Sequence, residues 1–417
     1  MSFASPSRIL AVRYALHNSN LERTRDTTPA INGGTLYPLQ ITDDGASMLP
    51  RAREFIPRKL RSLQGRQFTA VRGGKDVSAI TLATEFKGVN SNTGGAVSDW
   101  SAKMEQGYLL EAAFGSIAPT TTGAAATVAA SGHSTTTLNT SDGTNYSAGQ
   151  VIAFGTDEGI RVGLIASKAT NVLTLQHAYD GTPTTGATIY RLATWTQDDD
   201  LVDHSHVYVS AEGADFARDF GGCAVQGIEI MVPNNGLVTM QTTLMPSNWY
   251  DLDEDNTAYA APTAGNPIVN NGAQVYLIGA DNEPHFARNL KITIETGLQM
   301  REMASKPNGV YGGVFAGGEG KRIILEGEVY LDSSDVPDGA IDGSSGIYQW
   351  TGEGDDAGAL GTEREVSVTV GSAVGGLMHL EMASADLTGR VISSNGFHVL
   401  QFRAESVGAG PTVLAVG

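Results

Sequence analysis

The feature that most constrains this chain is a β-unit written twice, seen where two strand, Asn-Gly, strand segments recur. One reads Ile228-Glu229-Ile230-Met231-Val232-Pro233-Asn234-Asn235-Gly236-Leu237-Val238-Thr239-Met240-Gln241-Thr242; the other reads Thr388-Gly389-Arg390-Val391-Ile392-Ser393-Ser394-Asn395-Gly396-Phe397-His398-Val399-Leu400-Gln401-Phe402. Asn-Gly supplies the positive φ that a two-residue type I′ turn demands, so each segment is expected to be a tight hairpin. The copies agree upstream as well. Gln64 to Phe86 holds a polar loop, Gly73-Gly74, then Ile80, Leu82 and Phe86; Ser305 to Tyr330 holds a loop, Gly317-Gly318, then Ile323, Leu325 and Val329. The one-residue slip between them belongs in the turn, because inside a strand it would send every side chain to the opposite face. Between the two landmarks each copy carries a further strand, His206 to Ser210 and Glu365 to Thr369.

A chain of 417 residues with 51 glycines, short apolar runs and one convincing helix reads as a mainly β protein of two or three domains. The helix is expected from the N-cap Ser98 to a stop at Gly115, with Trp100, Met104, Tyr108 and Ala112 on the face that meets a sheet. From Ser116 the composition turns to Ala, Thr, Ser and Gly, followed by five short strand signals: 135–138, 150–154, 161–166, 172–175 and 188–192. They describe a small β-barrel or β-sandwich inserted at a loop, expected to project from its parent. The domain plan is therefore an N-terminal arm at 1–35 and a discontinuous first β domain at 36–115 and 195–247. The inserted module spans 116–194, a polar linker with one strand at 274–278 spans 248–286, and a second β domain spans 287–417. In that second domain Gly352, Gly354 and Gly358 break the stretch where a counterpart helix would fall.

The formal net charge of −18 disfavours a nucleic-acid grip through a basic face, yet it suits a surface past which a polyanion must slide. Cys223 is the only cysteine, so intrachain disulfides and multi-cysteine zinc sites are excluded and a core role is expected. No run approaches the ~20 apolar residues of a membrane span. Asp251 to Asn256 begins like a calcium loop but lacks the turn glycine and the closing Glu. Asp198, Asp199, Asp200, Asp203, His204 and His206 offer metal-ligand types, read here as a charged domain junction. No nucleophile elbow, zincin or P-loop pattern is present, and the reading is of a protein with no catalytic residue, no metal and no cofactor. The basic residues Arg58, Lys59, Arg61, Arg66 and Arg72 crowd one loop of an acidic chain, with Arg301 and Lys306 in the second copy. With only Phe55 and Phe68 as interleaved aromatics, they read as an interface with the acidic surface of an identical neighbour.

The order of long loop, Gly-Gly hairpin, helix over 99–114, strand and Asn-Gly hairpin, closed by 397–405, resembles the tail tube proteins of long-tailed bacteriophages. The insert, with Tyr146-Ser147-Ala148-Gly149-Gln150-Val151-Ile152, Leu173-Thr174-Leu175 and Pro183-Thr184-Thr185-Gly186-Ala187-Thr188-Ile189-Tyr190, resembles the small β-module of larger members. The resemblance implies two β-sandwich tube domains, the first with a flanking helix, plus the inserted module. It implies sheets joined between neighbours into a continuous barrel, and rings of six tube domains, hence a trimer with pseudo-sixfold symmetry. It further implies stacking through loops and arms, and an acidic lumen conducting genomic DNA at ejection without specific binding. The implied partners are other copies of the chain, the tape measure, the tail terminator and the tail tip. The implied place is the virion tail, assembled in the host bacterial cytoplasm, with no membrane. Two alternatives are carried: a tail-tip or capsid-decoration protein whose module binds a surface, and a metal-dependent hydrolase using Asp199, His204 and His206.

Overall fold

The computed structural model describes residues 9–16, 37–47, 55–62, 65–72, 79–89, 104–117, 125–198, 206–213, 217–246, 248–252, 265–278, 284–302, 311–316, 320–331, 364–373, 375–394, 397–407 and 410–417. The first part of the chain forms β1 (Ile9–Leu16), β2 (Tyr37–Leu39), β3 (Ile41–Ser47), β4 (Phe55–Ser62), β5 (Gly65–Arg72), β6 (Ile80–Glu85), α1 (Gly107–Phe114) and β7 (Gly115–Ile117). The insert supplies β8 (Thr137–Asn139), β9 (Val151–Thr156), β10 (Gly159–Ala169), β11 (Val172–Leu175) and β12 (Tyr190–Arg191). The first unit resumes with β13 (Ala193–Gln197), β14 (His206–Gly213), β15 (Ala217–Val232), β16 (Gly236–Leu237), β17 (Thr239–Met245), β18 (Asn248–Leu252) and β19 (Val269–Asn270). The second comprises β20 (Ala273–Ile278), β21 (Pro284–Glu295), β22 (Leu298–Glu302), β23 (Tyr311–Ala316), β24 (Arg322–Leu331), β25 (Arg364–Val370), β26 (Met378–Ser394), β27 (Phe397–Ser406) and β28 (Thr412–Val416).

The pairings repeat. In the second unit β20, β21, β24, β27, β26 and β25 pair in turn and close back on β20, a six-stranded barrel. In the first, β1, β2/β3, β6, β17, β15 and β14 make the same circuit, its closing strand broken at Gln40 between β2 and β3. Strand β18 lies on β15 as β28 lies on β26, and the two-stranded ribbon β4/β5 has its counterpart in β22/β23. Alternation explains the cores. Ile228, Ile230, Ile292, Ile294, Ile323, Leu325, Leu400 and Ala404 face inward at two-residue spacing and are fully buried in one continuous cluster.

Several sequence expectations are corrected. The ladder of β15 and β17 ends at Met231↔Thr239, and Gly236–Leu237 leaves to pair with β19, so Asn235-Gly236 is not a two-residue turn. Gly236 has φ 141, but Asn235 is not in the left-handed region, which rules out type I′. In the other copy β26 and β27 pair as far as Ser394↔Phe397, leaving a two-residue connection whose Asn395 and Gly396 lie outside the described residues, as do both Gly-Gly turns. The arm at 1–35 contains β1, a member of the first circuit. The linker at 248–286 contains β18, β19, β20 and the start of β21, because the alternation of Gln274–Ile278 already belongs to the second barrel.

Helix α1 is shorter than expected; Trp100 lies outside the described residues, while Met104, Tyr108 and Ala112 are buried. Its stop is as read: Gly115 adopts the left-handed φ of 90 and its N–H donates to Glu111 O. The second unit reaches over to this end. Lys321 Nζ, buried, donates to Phe114 O at the helix C-terminus and to Asp198 O at 2.9 Å. A cation there opposes the negative end of the helix dipole. Replacing Lys321 with methionine is expected to cost about 1.5–3 kcal/mol, read as a shift in the urea midpoint.

The insert does not simply project. Its strands run β12-β9-β10-β11-β8 around a core of its own that includes Leu138, Tyr146, Phe154 and Leu173. The other face of β9 and β10, with Val151, Ala153, Val162 and Leu164, packs on Leu377, Val413 and Ala415 of the second unit. Both faces of Val151-Ile152-Ala153-Phe154 are buried, as an unbroken apolar run requires. The last strand, β28, is buried along its length between β13 and β26.

Candidate assembly edges and sheet face

Where the two units meet, β15 pairs with β21 from Gly227↔Glu295 to Val232↔Leu290. The register sets Ile228 opposite Ile294, Ile230 opposite Ile292 and Val232 opposite Leu290, all buried. Buried cross-strand apolar pairs of this kind are what fixes a register. Polar groups lock its borders. Lys291 Nζ lies 2.8 Å from Glu229 Oε1. Thr296 Oγ1 donates to Val225 O at 2.6 Å, beside the bulge in β15. Asn289, at φ 53, donates its backbone N–H to Asn234 Oδ1 at 2.8 Å. The Asn-Asn-Gly segment therefore serves the junction between units rather than a tight hairpin.

This junction makes one sheet of eight antiparallel strands, β3-β6-β17-β15-β21-β24-β27-β26, in which the last four repeat the first four. Its two ends are unlike. At one end, among the described residues, no strand pairs with the edge of β26 that faces away from β27 beyond Ala385, its partner β25 having ended. At the other, the side of β3 facing away from β6 carries no described strand. These are the counterparts of the surfaces joined at β15–β21. Each first strand also carries a register shift, at Ile41/Ala46 in β3 and Arg288/Lys291 in β21.

One face of the sheet is core; the other is a lattice of ion pairs. Arg288 Nε is 2.7 Å from Glu328 Oε2, and Arg322 Nε is 2.5 Å from Glu405 Oε1. Arg403 approaches Glu405 at 3.2 Å and Glu326 at 3.8 Å, and Arg390 Nε donates to Gln401 Oε1 at 3.0 Å. The hydrogen bond from Gln401, then the charge of Arg288, holds the Glu328 carboxyl below its usual range; the Arg322 bond does the same for Glu405. The cations here are engaged by neighbours, and in the described part of this face acidic and basic side chains alternate.

The sequence-predicted interface residues fall mainly on the two ribbons. Arg58, Lys59 and Arg61 lie on β4, Arg66 and Arg72 on β5, with Arg61↔Arg66 in register, and Arg301 lies on β22 of the equivalent ribbon. Lys306, like Asp199, Asp203 and His204, lies outside the described residues. Neither the β15–β21 junction nor Lys321 and Thr296 was found from sequence. A signal for the junction existed in the matched alternation of Ile228 to Val232 and Leu290 to Ile294, but strand pairing between distant segments leaves no local mark. No helix among the described residues is long and apolar enough to cross a membrane. Comparison with protein families and with curated proteins finds no match to this chain.

Proposed function

We propose that the chain is a structural subunit, not an enzyme, three copies of which close into a ring that stacks into the tail tube of a long-tailed phage. The observation that carries the reading is the β15–β21 junction. It joins the last strand of one four-stranded half to the first strand of the next, and the two ends of the eight-stranded sheet, β26 and β3, present among the described residues the counterparts of those surfaces. Head-to-tail contact between unlike surfaces builds rings or filaments. The equivalence of Ile228 with Leu387 and of Ile292 with Ala46 sets the register: Gly389 opposite Ala46 and Thr388 opposite Ser47 of the next copy. Arg390 then lies alongside the Asp43-Asp44-Gly45 segment.

Size favours three copies. Strands ~4.8 Å apart and tilted by ~40° give a barrel of roughly twenty-four strands a backbone diameter of about 48 Å, leaving a bore of more than 35 Å inside the side chains. Two copies would leave about 20 Å, which a hydrated duplex would jam. The ion-paired sheet face is the proposed channel wall: side-chain cations already held by carboxylates offer DNA few phosphate contacts, so the genome slides. The basic ribbons β4/β5 and β22/β23 are the proposed ring-to-ring contacts.

The test is a cysteine pair, Ser47→Cys with Thr388→Cys. Native Cys223 is buried, with its thiol pKa pushed up, and stays silent. Oxidation is expected to give covalent trimers, and electron microscopy discs of three chains; each single variant gives no such species. Discs of six chains, or a discrete oligomer that never stacks, would replace this reading, the latter by the tail-tip alternative.

A further inference from the structure

A second constellation lies where the inserted module docks on the second unit, and it owes nothing to the tube reading. On β25 and β26 the residues alternate: Val366, Val368, Leu380 and Met382 enter the barrel core, while Glu365, Ser367, His379 and Glu381 lie on the opposite face. That polar row would be an ordinary wet surface, but the module covers it with His177. Glu381 is 0% exposed and His379 1% exposed. His177 Nδ1 lies 3.5 Å from Glu381 Oε1 and 3.9 Å from Glu365 Oε1, and the three atoms all fall within 4.8 Å of one another.

We propose that His177 Nδ1, Glu365 Oε1 and Glu381 Oε1 bind one divalent transition-metal ion, Zn²⁺ by ligand type, which fastens the module to the second unit. Three observations support this. Glu365 Oε1 and Glu381 Oε1 are both buried without a hydrogen-bond partner, a costly state for carboxylate oxygens. The separations from His177 exceed hydrogen-bond length, so a shared proton is poorly held there. Yet they are close to the ~3.4 Å between donors that each sit 2.0–2.2 Å from a tetrahedral ion. Two carboxylates crowded within 4.8 Å of each other in a covered site also repel unless a cation stands between them.

The surroundings are those of a metal ligand. The other oxygen of Glu381 accepts from His379 Nε2 at 3.1 Å, and Thr369 Oγ1 donates to His379 Nδ1 at 2.8 Å. This chain orients the carboxylate so that Oε1 points at His177. One imidazole with two carboxylates selects a first-row transition ion; Ca²⁺ would require six to eight oxygens.

The experiment uses the full chain, stripped with chelator and titrated calorimetrically with ZnCl₂, then with Co²⁺ followed by visible absorption. One equivalent per chain is expected, with d–d bands on Co²⁺ loading and a thermal midpoint that rises with free Zn²⁺. Glu365→Gln and His177→Ala are each expected to weaken binding on the order of a hundredfold. The variant His204→Ala/His206→Ala, which removes the other cluster of metal-ligand types, should bind as the parent does. No saturable equivalent in the parent chain overturns the proposal. So does an equivalent left unchanged by both Glu365→Gln and His177→Ala. If His177→Ala misfolds by circular dichroism, Glu365→Gln decides alone, because this side chain sits at the edge of the site, 17% exposed.

Discussion

Glu105→Ala is expected to destabilise the protein by about 3–5 kcal/mol, the cost of leaving one partner of a buried ion pair behind. Lys87 Nζ lies 2.6 Å from Glu105 Oε2, with the two side chains only 10% and 2% exposed. The same ammonium donates to Gln40 Oε1 at 2.5 Å, and Glu105 Oε1 accepts the backbone N–H of Gln40. Gln40 is the residue at which the closing strand of the first barrel breaks, so that β2 pairs with β1 while β3 pairs with β6. The pair therefore ties that kink to the turn that opens α1, a helix with no side-chain N-cap. Alanine would strand the Lys87 charge and orphan the Gln40 amide together. The double variant Lys87→Met/Glu105→Leu is expected to recover most of the loss, because removing both charges spares the desolvation that one alone suffers. Urea midpoints for the parent, Lys87→Met, Glu105→Leu and the double close the cycle, with Glu105→Ala measured beside them. A Glu105→Ala loss under about 0.5 kcal/mol would mean that water already screens the pair.

What the sequence disclosed was what periodicity can encode. The alternation of Ile323, Leu325 and Val329 gave β24 its core face, and the run ending at Gly115 gave α1 its stop. The order of landmarks gave the duplication. Turn chemistry misled at Asn235-Gly236, where a local preference yields to pairing of Gly236–Leu237 with β19 and of Val232 with Leu290. The docking of the insert was legible in principle, since four consecutive apolar residues from Val151 leave no face for water, but that signal names no partner. The His177, Glu365 and Glu381 cluster was not legible at all. Its members stand far apart in sequence, and each looks like an ordinary surface residue on its own strand or loop. Only the contact between module and barrel makes them neighbours.

Proline in the open edge of β26 is expected to abolish ring assembly, and two adjacent substitutions separate that effect from misfolding. Thr388 and Gly389 pair with Arg403 and Phe402 of β27. Successive residues of an antiparallel strand send their backbone groups alternately toward one neighbour and the other. One of the two positions thus donates its N–H to β27 and the other points it outward, at the edge proposed to receive β3 of the next copy. Proline at the first removes a ladder bond inside the barrel and lowers stability; at the second it is tolerated by the monomer, as prolines are on edge strands. The outward variant should keep the parent's circular dichroism and thermal midpoint, yet sediment as a single 43.6 kDa chain. At the joint between chains it deletes one donor and wedges a ring into a ladder only a few residues long, where each bond is worth about 0.5–1.5 kcal/mol and register depends on all of them. Charge reversal at Arg390 should act in the same direction but more weakly, because an exposed ion pair contributes only about 0–1 kcal/mol. If the well-folded proline variant forms discs like those of the parent, β26 is not the joining strand and the ring must close through another surface.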